Sequence, residues 1–420
     1  MSSRFLPLVL LFSCGLPLAQ PDAGVDAGLP VFSTEFLAAP EALTFACGGA
    51  TLDDGTVFVV GTTNGGLDGP SAKGQRDAFL ARYAPDGTRA WVRQLGGPAP
   101  FPGFFVSSCS VRADAEGNTI VAGTTNGLGT LEGKQVSNVY GAFVARLDAQ
   151  GQVAWLELLG DASGPTETMS LELLPDGRIV VVGYTRTSTL GGAASLGAGD
   201  VFLAFYSPLG ALESVRRIGG AGEDVPSAFE LAGDSLVLAT RVLDGAAGRV
   251  VSQSLRVLDL SGVELRARAL TEPFVAMSLS ATDAGIGLVS QEIASDGGVG
   301  GYRVELRDSS LEPRWSTTPE PRGRRSVFGF SCAGEACVVS GSTTITADGG
   351  TGTLLEGFVD SFAAGSATGT QRWADEVGIA ATRITWVQHV RGELAIVGFS
   401  GGTLQSRTPV GFADSFVERR

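Results

Sequence analysis

Histidine is almost missing: the 420-residue chain has one, His389. That excludes His-rich zinc sites and leaves a nucleophilic relay only one candidate base. His389 stands just before "VRGE", a turn sequence, so it is expected as a surface turn residue. No HExxH, GxSxG, Walker loop or EF-hand loop occurs. Charge is sparse at 18%, and Asp and Glu outnumber Lys and Arg by 44 to 30, a net charge of −14. Such a surface repels phosphate backbones and argues against a nucleic-acid partner. No apolar run approaches the roughly 20 residues that span a bilayer as a helix. Methionine (3) and tyrosine (5) are also scarce.

What the chain has is glycine, 60 residues, with 44% hydrophobic residues. That profile suits many short strands joined by tight turns. The N-terminus differs. "MSSRFLPLVLLFSCG" places Arg4 before an apolar run and reads as an export signal, residues 1–14. Leu11-Phe12-Ser13-Cys14 resembles a bacterial lipobox, which makes Cys14 the expected lipidation site. Ordinary cleavage after Ala19 is the alternative. Residues 15–30, with "QPDAGVDAGLP", read as a flexible tether.

From there one pattern repeats. "DAFLARY", "GAFVARL", "DVFLAFY" and "DSFVERR" contain Phe79, Phe143, Phe202 and Phe416. "GYRVEL" and "GFVDSF" are weaker copies. Alternating polarity marks these as strands. Turns follow, ending at Gly87, Gly151, Gly210 and Gly262, where a positive φ is expected. The returning strand carries Trp91, Trp155, Trp315 and Trp373, read here as one equivalent place. Upstream, an apolar strand ends at Gly61, Gly123, Gly183, Ala239, Ser290, Gly341 and Gly398, spaced by 51 to 62 residues. With an inner strand a, the apolar strand b just given, the Phe strand c and the Trp strand d, seven copies of four strands predict an all-β, seven-bladed β-propeller of four-stranded antiparallel blades over residues 31–420. The seventh copy ends after strand c. Phe32 and Phe36 repeat the spacing of Trp91 and Leu95, so Val31 to Leu37 is expected to complete the last blade.

With Asp77-Ala78-Phe79, Asp86-Gly87, Trp91, Leu95-Gly96-Gly97 and Ile218-Gly219-Gly220, the chain resembles the bacterial seven-bladed β-propeller repeat. The resemblance covers roughly residues 43 to 420 and implies the fold and frequent export. It implies no common activity and no catalytic residues. "ARLDAQGQVAW" also resembles the pyrroloquinoline-quinone repeat. The copies here are longer and that cofactor's ligand set is not recognisable, so no cofactor is expected.

The candidate chemistry is thin. Asp77, Asp200, Asp360 and Asp414 lie at or near the start of strand c in separate copies. Repetition favours a loop-capping role over catalysis. The turns "SDGG" and "ADGG" lack the ligand spacing calcium needs, so no metal is expected. Cys332 and Cys337 flank a short hairpin and are expected to form a disulfide. Cys47 and Cys109 fall at equivalent places and are read as two separate buried thiols. The long b–c connections share one face of a propeller, which makes that face the expected binding surface. Leu67, Leu128 and Leu131 are its candidate contacts. The reading is a noncatalytic, exported, monomeric scaffold, held to an outer membrane or cell surface through lipid only, or else periplasmic or secreted. It binds a protein or polymer in the envelope or extracellular space. The alternative is a carboxylate-dependent glycoside hydrolase or lyase with its site in the central channel.

Overall fold

The computed structural model describes residues 35–419, apart from 70–71, 99–104, 137–139, 245–247, 271–272, 294–298, 320–323, 347–352, 364–365, 374–381, 402–409 and 411–412. Cys14 and the segments expected as signal and tether lie outside the described residues. Seven four-stranded antiparallel sheets follow one another around a ring. Blade 1 takes Thr44–Thr51 (a), Val57–Thr63 (b), Asp77–Tyr83 (c) and Arg89–Leu95 (d). Five further blades repeat that order. Blade 7 takes Thr382–Val390, Glu393–Ser400 and Asp414–Arg419, then Glu35–Leu37 from the other end of the chain. No helix among the described residues is long and apolar enough to cross a membrane.

The core is divided as a ring requires. Seven apolar clusters each lie between two neighbouring blades. Between blades 1 and 2, for example, Phe58 and Leu80 pack against Val121 and Phe143. A lone sheet would leave both faces in water; a neighbour on each side covers them. Strand d and the c–d turn join consecutive blades. Trp91 Nε1 donates to Ala149 O (2.9 Å) and Trp155 Nε1 to Pro208 O (3.2 Å), both in the next blade's turn. Each indole lies over a turn glycine, Gly151 (φ 78°) or Gly210 (φ 87°). A side chain there would meet both the ring and the left-handed backbone.

Register corrects several expectations. Trp91, Trp155 and Trp315 do share one place, opposite Arg82, Arg146 and Leu306. Trp373 instead pairs with Gly357, four residues beyond the equivalent Gly369, in the place Leu95 holds. Copy 6 is aligned by Phe358, the partner of Gly341. Asp360 therefore sits inside strand c, and Glu356 takes the place of Asp77. In copy 4, Thr240 rather than Ala239 faces the start of the inner-strand irregularity, opposite Pro226. The closing strand pairs with strand c as expected, but Leu37 rather than Phe36 takes the place of Leu95, opposite Ser415. Val31 to Thr34 lie outside the described residues. Side-chain bonds reinforce the closure: Ala46 N donates to Ser415 Oγ (2.7 Å), and the buried Arg419 donates to Gly55 O (2.8 Å) and Pro85 O.

Candidate functional site

The inner strand of every blade carries a β-bulge at the same place. Pairing skips one residue between Ala46 and Gly48, and likewise in the other six blades. The skipped residues are Cys47, Cys109, Met169, Ser227, Met277, Phe328 and Thr385. A bulge leaves its extra residue unpaired and re-aims its side chain. All seven line one cavity of about 240 Å³ in the central channel. The strand b glycine accommodates this geometry. A Cβ at Gly61, Gly123, Gly183 or Gly341 would lie 2.0–2.1 Å from an inner-strand carbonyl oxygen.

Three residues past the bulge, blades 2, 3 and 4 present Arg112, Glu172 and Glu230. Arg112 Nε donates to Glu172 Oε2 (2.8 Å) and its Nη2 to Oε1 (2.5 Å). The same Nη2 lies 3.8 Å from Glu230 Oε2, so the carboxylates are no further apart than those two Nη2 distances combined. Arg112 and Glu230 line a second cavity of about 180 Å³ with Ser280, Ser331, Gln388 and Trp386. Burial, then the charge of Glu172, raises the Glu230 carboxyl from 4.5 to about 8, with Arg112 opposing. Burial pulls the Arg112 guanidinium down, but the two carboxylates more than offset it. Burial thus holds the Glu230 carboxyl in its neutral form well above the usual carboxylate range.

This group was missed because counting from the strand b glycine fails. The bulge residue precedes the strand b residue facing the irregularity by 14 positions in blades 1 to 3, as from Cys47 to Gly61, and by 13 from blade 4 onward, as from Ser227 to Thr240, where the inner strand returns through a two-residue turn such as that between Ala232 and Ser235. The true repeat signal was the bulge, which sequence spacing does not display.

The sequence candidates are distributed as follows. Asp77, Asp200 and Asp414 share one place, and each accepts the backbone N–H four residues earlier, from Lys73, Leu196 and Val410. These carboxylates hold b–c loops and do not converge. Asp360 is buried with Arg325 and Tyr302, and Arg325 and the Tyr302 hydroxyl bond to it. Leu131 is fully buried: its short hairpin, Gly129–Leu131 with Lys134–Val136, folds onto the ring and adds Leu131 and Val136 to the cluster between blades 1 and 2. Leu67 is half-buried against the cluster between blades 7 and 1. Leu128 is 42% exposed. Apolar residues in these loops are thus partly plugs, which hydrophobicity alone does not distinguish from contacts.

Cys332 and Cys337 are joined across their hairpin (S–S 2.07 Å). Cys47 and Cys109 are also joined (2.05 Å, Cα–Cα 5.1 Å), not separate buried thiols. Glycine explains the approach: a Cβ at Gly48 would stand 2.1 Å from Cys109 O. His389 is not in the turn. It lies in strand a, half-buried, its N–H donating to Ser331 Oγ (3.1 Å), and burial lowers its imidazole to about 4. Among the described residues no three His, Cys, Asp or Glu side chains converge to hold a metal.

The chain matches no protein-family model and no curated protein sequence. Solved structures share its architecture. The polysaccharide lyase PL25 ulvan lyase has a TM-score of 0.53 at 11% identity, covering 91% of this chain and 94% of that one. The β-propeller domain of Cps50 (Swd1) from Myceliophteria thermophila has a TM-score of 0.50 at 11% identity, covering 91% and 98%. KlAtg21, solved in complex with the coiled coil of AgAtg16, has a TM-score of 0.48 at 11% identity, covering 89% and 96%. At these identities the likeness concerns the fold.

Proposed function

We propose that this propeller is a noncatalytic, exported binding protein that holds a protein or polymer partner on its b–c loop face. One observation carries the reading. The loop aspartates fix the backbone of Leu196 and Val410, leaving those side chains 50% and 60% exposed on the same face as Leu128. Apolar side chains presented by a built loop rather than packed beneath it suit a contact surface. The resemblance of the repeat to exported bacterial propellers and the Cys14 motif support anchoring at the envelope.

The second reading, a carboxylate enzyme in the channel, draws on the protonated Glu230 beside Glu172. Arg112 occupies both oxygens of Glu172, which leaves that carboxylate poorly placed to act as nucleophile or base. Cross-linking in the native membrane fraction tests the two together. Leu128→Asp/Leu196→Asp/Val410→Asp is expected to remove most of the cross-linked partner, and Cys14→Ser to shift the folded protein to the soluble fraction. Undiminished cross-linking would sink the loop-face assignment. Glycan cleavage abolished by Glu230→Gln but kept by the loop variant would move the function to the channel.

A further inference from the structure

Four of the seven bulge positions carry sulfur: Cys47, Cys109, Met169 and Met277. The chain has three methionines, and both of those after Met1 stand on this ring. Blades 1, 2 and 3 are consecutive, so Cys47, Cys109 and Met169 occupy equivalent places on neighbouring inner strands around one cavity. The other bulge residues, Ser227, Phe328 and Thr385, are uncharged. Cys109 is exposed and Cys47 half-buried, so a reductant entering the channel can reach their disulfide. Blades 1 and 2 also share an apolar cluster, and hydrogen bonds close the ring, so its integrity does not rest on this bond alone.

We propose that, once the disulfide is reduced, Cys47, Cys109 and Met169 form a three-sulfur site at the channel waist for a soft monovalent cation of the Cu(I) type. Thiolate and thioether donors select such cations over hard, oxygen-seeking ones. The chemistry balances with a dithiol reductant. Its two thiols are oxidised to a disulfide while the Cys47–Cys109 bond takes up two electrons and two protons. The cation then displaces both protons and binds two thiolates and one thioether. The intact disulfide blocks the site, so occupancy follows the redox state.

The test uses the full chain carrying Cys14→Ser, Cys332→Ser and Cys337→Ser, so no other thiol competes. It is reduced with a dithiol, desalted without oxygen and titrated with Cu(I) held by a chromophoric chelator. The reduced chain is expected to bind one Cu(I), and the oxidised chain none. Met169→Leu, close in shape, is expected to bind at least tenfold more weakly, and X-ray absorption to count two sulfur neighbours in place of three. Met277→Leu, two blades further on, is expected to bind like its parent. The Met169→Leu effect is expected to recur in a Cys14→Ser chain that keeps Cys332 and Cys337. Thermal melts check that both redox states are folded. Equal uptake by both states, no uptake by a folded reduced chain, unfolding on reduction, or undiminished affinity in Met169→Leu each overturns the proposal.

Discussion

Glu230 shows how a single residue couples the channel to pH. Its carboxyl is raised from 4.5 to about 8, so between those values the folded state holds a proton that the unfolded state has released. Stability must then fall as pH rises through that window, by at most about 1.4 kcal/mol per pH unit. His389 acts in the opposite direction. Its imidazole is lowered from 6.5 to about 4, so stability is lost as pH falls from 6.5 through 4. Above pH 6.5 the histidine's contribution is complete, and the decline toward pH 8 reports Glu230. Urea unfolding of the wild type is expected to show that decline, and Glu230→Gln to flatten it. A variant with the same slope would mean that Glu230 ionises normally in the fold. Arg112, Glu172 and Glu230 had no motif in the sequence. Their proximity depends on three strands from three blades.

At the scale of the strand, the inner bulge faces a strand b glycine in five blades, while Thr240 and Ser290 take that place in blades 4 and 5. In blade 3 a Cβ at Gly183 would lie 2.0 Å from Glu167 O and 2.6 Å from the Phe202 ring. The carbonyl belongs to the paired backbone and cannot move aside without disturbing the ladder. Gly183→Ala is expected to destabilise the protein by about 1–3 kcal/mol, the usual cost of overpacking. Gly220→Ala, with nothing within 4 Å of its added methyl, is expected to stay within about 0.5 kcal/mol of wild type. Chemical denaturation of the two variants checks the contrast, and equal effects would refute the role given to the bulge. The glycine itself was plain in the sequence. Its partner was not, because a bulge adds one residue to a strand without changing residue type. The same one-residue ambiguity explains Phe36 against Leu37 in the closing strand. Either register brings an apolar residue inward, and backbone pairing selects between them.

For the whole ring, the decisive event is closure. Glu35–Leu37 covers the edge of Asp414–Arg419, while Arg419 and Ser415 tie that strand to blade 1. Deleting residues 21–38 while keeping residues 1–20 removes this strand and exposes an apolar edge, which invites pairing between molecules. Aggregation or a clearly lower melting temperature is expected. Deleting residues 21–29 alone is expected to leave both unchanged. Melting scans and light scattering compare the two, and identical behaviour would refute closure through the N-terminal strand.

The sequence by itself determined the seven blades, their strand order and the closing role of the N-terminal segment. Alternating polarity, turn glycines and period are local properties that each copy carries within itself. The tertiary structure decided which residues meet across copies. It joined Cys47 to Cys109 because Gly48 admits the neighbouring strand, buried Leu131 by folding its hairpin back, and gathered Arg112, Glu172 and Glu230 around the axis. Those outcomes depend on turn length, bulge position and the approach of one blade to the next. Contacts of that kind are set by packing between segments distant in the chain, so no single repeat contains them.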